Sequence, residues 1–373
     1  MNTYTDERLC SLVLPQCAGV GAILAHRLVK ELGSATAVFN RREELPVLFP
    51  GLPKSVASAL DNPEAFRRAE QELAFAEKNR IACITLMDEA YPSRLRGCDD
   101  APIALFYKGN ADLNHLHVIS IVGTRRATDY GRQFCADLLR ELSALCPDVL
   151  VVSGLAYGID IAAHRGALAN GLSTVAVLGH GLDRIYPSSH RRTAIEMLEN
   201  GGLLTEYFTG SQPDRHNFVQ RNRIVAGMSD ATIVVESAAK GGSLITADIA
   251  NSYNRECFAV PGRVGDGCSE GCNRLIHDNK AALLLSADDL MKAMMWEGRD
   301  VQTVPGNVQR SLFPELSEEE ASVVRILMER GELHINTLVV ASNIPVNRMS
   351  ALLFELEMKG VVKALAGSMY RLV

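Results

Sequence analysis

Residues 118–260 alternate between short apolar runs and longer amphipathic stretches, and this alternation constrains the fold more than any other feature of the chain. The apolar runs are rich in valine and isoleucine, as buried strands are, and the stretches between them have helical periodicity. A chain that returns through a helix after each strand forms a doubly wound, mostly parallel α/β sheet. The predicted strands are Val118–Val122, Val149–Ser153, Thr174–Leu178, Leu203–Glu206, Thr232–Glu236 and Cys257–Val260, and the predicted helices are Tyr130–Leu145, Ile159–Ala169, Ser188–Asn200, Phe218–Met228 and Ser243–Tyr253.

Glycine, hydroxyl and arginine residues gather where several of these strands end. Ligands of such sheets bind beyond the carboxyl ends of the strands. Glycines let backbone N–H groups converge there, and a helix N-terminus adds the positive end of its dipole. Several guanidinium groups at one edge fit more than one phosphate, so we predict a site for a polyanionic strand rather than a mononucleotide. The candidate residues are Gly123, Thr124, Arg125, Arg126, Ser153, Gly154, Gly158, Arg221, Asn222, Arg223, Lys240, Gly241, Gly242 and Ser243.

Two common nucleotide-binding signatures do not occur in the sequence. Gly154 and Gly158 do not complete a G-x-G-x-x-G dinucleotide fingerprint, and there is no G-x-x-x-x-G-K-[ST] loop for a nucleoside triphosphate. We therefore expect no cofactor. The formal net charge is −6, from 38 Lys and Arg against 44 Asp and Glu, so a polyanion site has to come from local clustering of basic residues.

The sequence also indicates where the protein acts. Residues Met1–Leu9 are polar, unlike a signal peptide, and no apolar stretch reaches the roughly 18 residues of a membrane span. The nine cysteines are scattered along the chain, which favours reduced thiols. We expect a cytoplasmic protein that does not contact a membrane.

Outside the alternating region the pattern changes, and 373 residues are too many for one ordinary core. We expect an N-terminal helical domain over residues 1–80, a core over 81–296, a linker over 297–315 and a C-terminal domain over 316–373. Two helical patterns near the N-terminus flank Gly19–Gly21, which predicts a helix-hairpin-helix. Such a turn either contacts a DNA phosphate or only connects two helices of a bundle, and the sequence leaves both interpretations open.

The C-terminal residues have the pattern of a winged helix. A Ser-x-x-Glu capping box at Ser317 begins the first of three helices, and a hairpin around Gly367 follows the third. Winged helices often bind duplex DNA, but six basic and seven acidic residues from Glu318 onward give this one a net charge of −1. Two of the acids, Glu355 and Glu357, lie on the third helix itself. We therefore favour a protein-contact or regulatory module.

A few residues could carry catalysis or bind metal. Asp160 and His164 are four residues apart on one predicted helix and could act as an acid–base pair, although such pairs more often brace a helix. Glu206 and Glu236 end strands, where orienting loop amides is the favoured role. Cys268, Cys272 and His277 offer three metal ligands without a fourth. We assign no catalytic residue and no metal site.

The motifs, taken in order, resemble the DNA-processing protein A family (DprA, also called Smf) over roughly residues 103–290. The matching motifs are Val122–Arg125, Ser153–Asp160, Ala163-His164, Val177–Asp183, Tyr186-Pro187, Arg221–Arg223, Gly242–Ala247, Val260–Arg263 and Asn273–Ile276. A departure lies at residues 278–281, Asp-Asn-Lys-Ala, where the family usually has a glycine before the alanine; it affects only the local turn.

The resemblance implies a Rossmann-like core that binds single-stranded DNA without enzymatic turnover, forms a homodimer and helps to load the RecA recombinase onto DNA entering the cell in natural transformation. It also implies that Arg125 is the main phosphate-binding guanidinium, in a loop shaped by Gly123 and Thr124. Ser153, Gly154, Gly158, Arg221, Arg223, Gly242 and Ser243 would line the same pocket.

Two other functions stay open at this point. The first is a nucleotide-processing N-glycosidase of the cytokinin-activating type on a similar sheet, although its Pro-Gly-Gly-x-Gly-Thr loop has only residues 240–246, Lys-Gly-Gly-Ser-Leu-Ile-Thr, as a counterpart here. The second is a transcription regulator that acts through the winged helix.

Overall fold

The computed structural model describes residues 4–296, 316–365 and 367–372, so the predicted linker over 297–315 lies outside the described residues. Six helices come first, with Leu12, Leu28 and Phe39 buried among them. Their apolar cluster continues into the first two strands of the sheet, so the helices and that sheet edge share one core. The helices are α1 (Glu7–Val13), α2 (Ala22–Leu32), α3 (Ala35–Asn40), α4 (Leu45–Leu48), α5 (Lys54–Ala59) and α6 (Pro63–Lys78).

The predicted helical hairpin connects α1 and α2, with a short 3-10 turn at Leu14–Gln16 before the glycines. Gly19 has a φ of +81°, in the left-handed region that glycine adopts at least cost. Gly33 ends α2 with a φ of +87° and acts as its C-cap.

The central sheet has nine strands in the order β1-β2-β6-β5-β4-β3-β7-β8-β9. The seven strands from β6 to β9 in this order pair in parallel, whereas β1 and β2 add an antiparallel edge. The predicted doubly wound, mostly parallel sheet is confirmed. The strands are β1 (Ala82–Thr85), β2 (Ala104–Gly109), β3 (His117–Val122), β4 (Val149–Ser153), β5 (Thr174–Val177), β6 (Gly201–Thr205), β7 (Ala231–Val234), β8 (Glu256–Ala259) and β9 (Ala282–Leu283).

Helices cover both faces of this sheet, because successive side chains of a strand point to opposite faces. Ile119 and Val151 belong to the apolar cluster on one face, and Val118 and Val152 to the cluster on the other. The helices of the core are α7 (Ser93–Arg96), α8 (Asp129–Leu145), α9 (Ile159–Ala169), α10 (Arg191–Met197), α11 (Arg215–Gly227), α12 (Gly242–Ser252), α13 (Glu270–His277) and α14 (Ala287–Met294).

Several boundaries differ from the sequence prediction: α10 covers Arg191–Met197 rather than Ser188–Asn200, β7 ends at Val234 rather than Glu236, and two other differences have a clear physical reason. Strand β6 begins at Gly201, two residues early, because Gly201 and Gly202 pair with β5 although glycine gives no apolar signal. Helix α11 begins at Arg215, three residues early, because the Asp214 side chain accepts a hydrogen bond from the Asn217 N–H at 2.8 Å and caps the helix.

Strand β3 lies between β4 and β7, and this position creates the main crevice of the fold. The chain builds one half of the sheet outward from β3 through β4, β5 and β6, and then returns to β7 to build the other half. At such a topological switch point the loops after two neighbouring strands diverge and leave a cleft at their carboxyl ends.

The C-terminal residues form the predicted winged helix around a separate apolar core. Ser317 and Glu320 make the predicted capping box, and a strand before the second helix extends the predicted two-stranded wing to three. The turn before the third helix contacts helix α7 of the part of the chain that contains the nine-stranded sheet. There Arg96 Nη1 of α7 donates to Asn343 Oδ1 of the turn at 3.3 Å. The elements are α15 (Glu318–Arg330), β10 (Leu333–His334), α16 (Ile335–Ser342), α17 (Val346–Met358), β11 (Val362–Leu365) and β12 (Met369–Leu372).

None of the helices in the described parts of the chain combines the length and the apolar character needed to cross a bilayer.

Candidate nucleic-acid interface

A cleft of about 920 Å³ opens at the switch point between β3 and β7. Three segments form its walls: the loop after β3, the first turns of α11, and the segment from Ser237 to the start of α12. The predicted site residues that line it are Gly123, Thr124, Arg125, Arg221, Asn222, Lys240, Gly241, Gly242 and Ser243.

The loop after β3 is held tightly between α9 and the end of β7. The Thr124 N–H donates to the Glu236 carbonyl at 2.7 Å, and the Thr124 carbonyl accepts from the Ile159 N–H at 3.2 Å. A Cβ on Gly123 would lie 2.5 Å from Ile159 Cγ1, so only glycine fits there. The buried Glu236 carboxylate accepts from the Thr128 N–H at 2.9 Å and from the Thr128 hydroxyl, and it thereby orients the same loop.

Ser153, Gly154 and Gly158 lie behind the cleft and do not line it. The Ser153 hydroxyl is buried and donates to the Ile121 carbonyl at 2.6 Å. Gly158 has a φ of +78°, and a Cβ there would lie 2.1 Å from the Thr124 carbonyl oxygen. These residues shape the wall that supports the cleft.

Arg221 is the most unusual residue of the cleft, because its guanidinium is buried without a hydrogen-bond partner. Its exposed fraction is 4%, and no described residue accepts a hydrogen bond from it. Burial lowers the pKa of the Arg221 guanidinium from its ordinary value, and the nearby Asp160 carboxylate opposes that shift. An arginine stays protonated even so. A buried cation with a free donor, open to a cleft, has the chemistry to bind an anion.

Asp160, a residue of helix α9, partly compensates the positive charge of Arg221. Its carboxylate is buried, and Oδ2 accepts from the Ala156 N–H at 3.3 Å. Burial raises the pKa of Asp160, while Arg221 acts in the opposite direction. The other acid of the cleft, Asp248, is already paired with Lys280 at 2.9 Å. The cleft therefore keeps an excess of positive charge.

An exposed cation and two aromatic rings form the outer rim. The Arg125 guanidinium lies 5.4 Å from the centre of the Phe218 ring, and Phe218 stacks on Tyr186 with 5.8 Å between ring centres. Tyr186 is 45% exposed, so one face of this stack is open to solvent. Arg215 and Lys240 add two further exposed cations to the lining.

The N-terminus of α12 contributes backbone donors to the opposite wall. Helix α12 has 11 residues, and Gly241 at its N-cap makes no side-chain cap hydrogen bond. The first N–H groups of a helix have no partner within the helix and suit an anion. The Ser243 hydroxyl donates to Ser237 Oγ at 2.9 Å, and this bond holds the turn.

Two of the predicted residues lie elsewhere. Arg126 is exposed outside the cleft, and its N–H donates to Thr124 Oγ1 at 3.2 Å. Arg223 is buried on the other side of α11, where Nη2 lies 2.5 Å from a Glu206 carboxylate oxygen. Arg223 and Glu206 line a second cavity of about 280 Å³, which lies between the N-terminal helices and the central sheet.

Sequence reasoning missed Arg215, Phe218 and Tyr186 as residues of the cleft. The sequence does contain a signal for the first two. If Asp214 is recognised as the N-cap, the helix begins at Arg215, and Arg215, Phe218 and Asn222 then have the i, i+3, i+7 spacing of one helix face. Tyr186 comes from a loop between β5 and α10, and only tertiary structure brings it to the cleft.

Only one member of the possible acid–base pair of α9, Asp160, lines the cleft. His164 is completely buried, and its Nδ1 is 2.7 Å from the Thr174 hydroxyl. Burial lowers the pKa of His164 to about 3. Within the described ranges, no group of three or more His, Cys, Asp and Glu residues is arranged to hold a metal ion.

Comparison with known proteins places this architecture in a family. A family model described as DNA recombination-mediator protein A matches residues 82–295, and one described as DprA winged helix domain matches residues 311–368. A DNA processing protein DprA from Streptococcus pneumoniae is 39% identical over 58% of this chain and 75% of its own. Protein Smf from Synechocystis is 29% identical over 98% of this chain and 99% of its own.

Two solved structures also match. The crystal structure of DprA from Streptococcus pneumoniae has a TM-score of 0.57 and 34% identity, covering 73% of this chain and 98% of that one. A structure of DNA processing protein A from Helicobacter pylori, described by its single-stranded DNA binding mode, has a TM-score of 0.52 and 29% identity, covering 58% of this chain and 96% of that one. Because the first family model spans more than half of the residues, and the S. pneumoniae relative is above 30% identity over three quarters of its length, the chain belongs to the DNA recombination-mediator protein A family.

Proposed function

We propose that this protein binds single-stranded DNA in the cleft between β3 and β7 and does so without catalysing a reaction. The observation that carries the proposal is Arg221, which lines the cleft, is only 4% exposed and has at Nε a buried donor without a partner among the described residues. The guanidinium would be satisfied by donating a charge-assisted hydrogen bond to a phosphate oxygen.

The surroundings of Arg221 favour a strand over a single nucleotide. Arg125, Arg215 and Lys240 line the same cleft and make no ion pair within the described parts of the chain. Together with the N-terminus of α12 they offer several separate phosphate positions. The remaining site residues are proposed to act through the backbone or as support: Gly123, Thr124, Arg126, Ser153, Gly154, Gly158, Asn222, Arg223, Gly241, Gly242 and Ser243.

The stacked pair of Tyr186 and Phe218 suggests how bases are held. Base–aromatic stacking tolerates every base, because each one has a π-face. Binding is therefore proposed to have little sequence preference.

The family relationship extends the proposal beyond binding. The Helicobacter pylori relative is described by its binding of single-stranded DNA, and the matching family is described as a recombination mediator. We infer that this protein forms a homodimer in the cytoplasm and helps to load the RecA recombinase onto incoming single strands during natural transformation.

We also propose that the chain consists of four segments with different functions. Residues 1–80 would form a helical domain, 81–296 the DNA-binding core, 297–315 a linker and 316–373 a winged helix. The third helix of the winged helix carries Glu355 and Glu357 on its exposed surface, together with Phe354, which is 64% exposed. Acidic and apolar groups suit a protein partner better than a DNA backbone.

The decisive experiment compares three ligands. Fluorescently labelled oligo-dT, a duplex of equal length and a nucleoside monophosphate are titrated with the full chain at physiological salt. We expect tight binding of oligo-dT, weaker binding of the duplex and weak binding of the monophosphate. Preferential binding of the monophosphate, together with release of free base from it, would instead support the N-glycosidase function.

A further inference from the structure

We propose that Glu72, on helix α6 of the N-terminal region, is a positioning residue for strand binding. It lies outside the cleft and acts through the segment from Glu206 to Asp214, which leads into α11. This inference rests on the proposed binding of single-stranded DNA and adds that the N-terminal helices set the affinity of a cleft they do not line.

Glu72 and Arg68 of α6 together bind Thr209, a residue of that segment, through its backbone and its side chain. The carboxylate is 3% exposed; Oε1 accepts from the Thr209 N–H at 2.9 Å, and Oε2 accepts from the Thr209 hydroxyl at 2.7 Å. Arg68, one turn earlier on α6, donates from Nη1 to Glu72 Oε2 at 2.9 Å and from Nη2 to the Thr209 carbonyl at 2.6 Å. Thr209 is thus tied to α6 by its N–H, its C=O and its hydroxyl.

The segment between Thr209 and the cleft is short and has a second anchor on the core. The Gly210 N–H donates to Asp183 Oδ1 at 3.3 Å, and Arg184 Nη1 donates to Gln212 Oε1 at 3.3 Å. Pro213 and Arg215, which follow directly, line the cleft. The position of Arg215 therefore depends on where α6 holds Thr209.

The contact is sensitive to substitution because the Glu72 carboxylate is buried and both of its oxygens accept hydrogen bonds. A glutamine at position 72 has one oxygen and one N–H₂ group, so it cannot accept at both positions. Either the Thr209 N–H or its hydroxyl then loses its acceptor, and the charge that pairs with Arg68 is lost as well, so the segment is held less firmly. A loosened segment has to be ordered again when DNA binds, and this ordering reduces affinity.

The test uses the full chain with Glu72→Gln and the matched variant Glu70→Gln, which changes an exposed glutamate of the same helix. Affinity for oligo-dT is measured by fluorescence anisotropy, and the thermal midpoint of each variant by calorimetry. We expect Glu72→Gln to bind about fivefold more weakly, the effect of re-ordering a few side chains, and Glu70→Gln to bind like the parent.

Positioning is separated from general destabilisation by two further comparisons. In an Arg215→Ala background, Glu72→Gln should weaken binding less than about twofold, because the group it positions is gone. Thr209→Val should reproduce the loss in the parent background, and Thr209→Ser, which keeps the hydroxyl, should restore affinity. Thr209→Val also serves if Glu72→Gln does not fold.

The outcomes separate the two proposals. If the parent binds oligo-dT and Glu72→Gln binds equally well, or if the fivefold loss persists unchanged in the Arg215→Ala background, the positioning role is overturned and strand binding stands. If the parent itself does not bind oligo-dT, the proposed function fails.

Discussion

The guanidinium of Arg221 lies directly against the backbone of Gly154, so close that a Cβ on Gly154 would be 1.7 Å from Arg221 Nη1. Gly154 follows the end of β4, and Arg221 belongs to α11. The absence of a side chain at one position is therefore what allows the buried cation at the other. Gly154 therefore supports, from behind, the arginine that lines the cleft.

This relationship predicts the effect of Gly154→Ala. The added methyl group has to displace the guanidinium or the backbone, and overpacking of this kind costs about 1–3 kcal/mol of stability. Because Arg221 moves, affinity for oligo-dT should fall as well. Calorimetry and anisotropy measure the two effects, and Gly267→Ala, where a Cβ would meet nothing within 4 Å, is the control. Unchanged affinity in Gly154→Ala would contradict the role of Arg221.

Substitution by methionine should affect stability and DNA binding differently at the two arginines of the Arg-Asn-Arg motif, Arg221 and Arg223. Arg223→Met leaves the Glu206 carboxylate buried without its cation, which typically costs about 3–5 kcal/mol. Arg221→Met leaves the buried Asp160 carboxyl without a nearby cation but breaks no hydrogen-bonded ion pair, so it should destabilise the protein less than Arg223→Met does while weakening DNA binding much more. Chemical denaturation measures both variants. Equal destabilisation by the two substitutions would refute this assignment.

Arg125 and Arg126 form a matched pair for testing phosphate contact. Arg125 lines the cleft and Arg126 does not. Arg125→Ala should weaken binding and reduce the slope of log Kd against log salt by about 0.7, the value for one phosphate contact on a single strand. Arg126→Ala should leave the slope close to that of the parent. Titrations of oligo-dT at four salt concentrations distinguish these outcomes, and equal slopes for both variants would contradict the phosphate contact.

The burial of His164 predicts a pH dependence of stability. Its pKa in the folded protein is about 3, below the ordinary value of 6.5. Between these values the unfolded chain binds the extra proton, so stability should fall as the pH decreases from 6.5 towards 3, by at most about 1.4 kcal/mol per pH unit. His164→Asn, which keeps a polar atom near Thr174, should show a shallower decline. His216→Gln, at an exposed histidine, should decline like the parent.

The fold was predictable to a large extent, because strands buried on both faces and helices between them leave strong periodic signals. Val149–Ser153 and Ile159–Ala169 have the bounds that the sequence indicates. The loops at the strand ends were also identifiable, since Gly123 and Gly158 stand where a side chain would collide with Ile159 and Thr124.

The direction of individual side chains was not predictable. Arg221 and Arg223 are two residues apart on a helix, so they point to opposite sides, and only the packing of α11 decides which one faces the cleft. Ser153 likewise looks like an anion ligand in the sequence, but its hydroxyl is used within the sheet. Tyr186 is brought to the cleft by a loop whose course carries no periodic signal.

The most direct test of the central claim is the salt dependence of oligo-dT binding by the parent and by Arg221→Met. If the cleft binds a DNA backbone, log Kd of the parent rises linearly with log salt with a slope of at least about 2, as three or more phosphate contacts require. Arg221→Met should fold normally, bind at least tenfold more weakly and show a smaller slope. A folded Arg221→Met protein with the affinity and the slope of the parent would contradict the account.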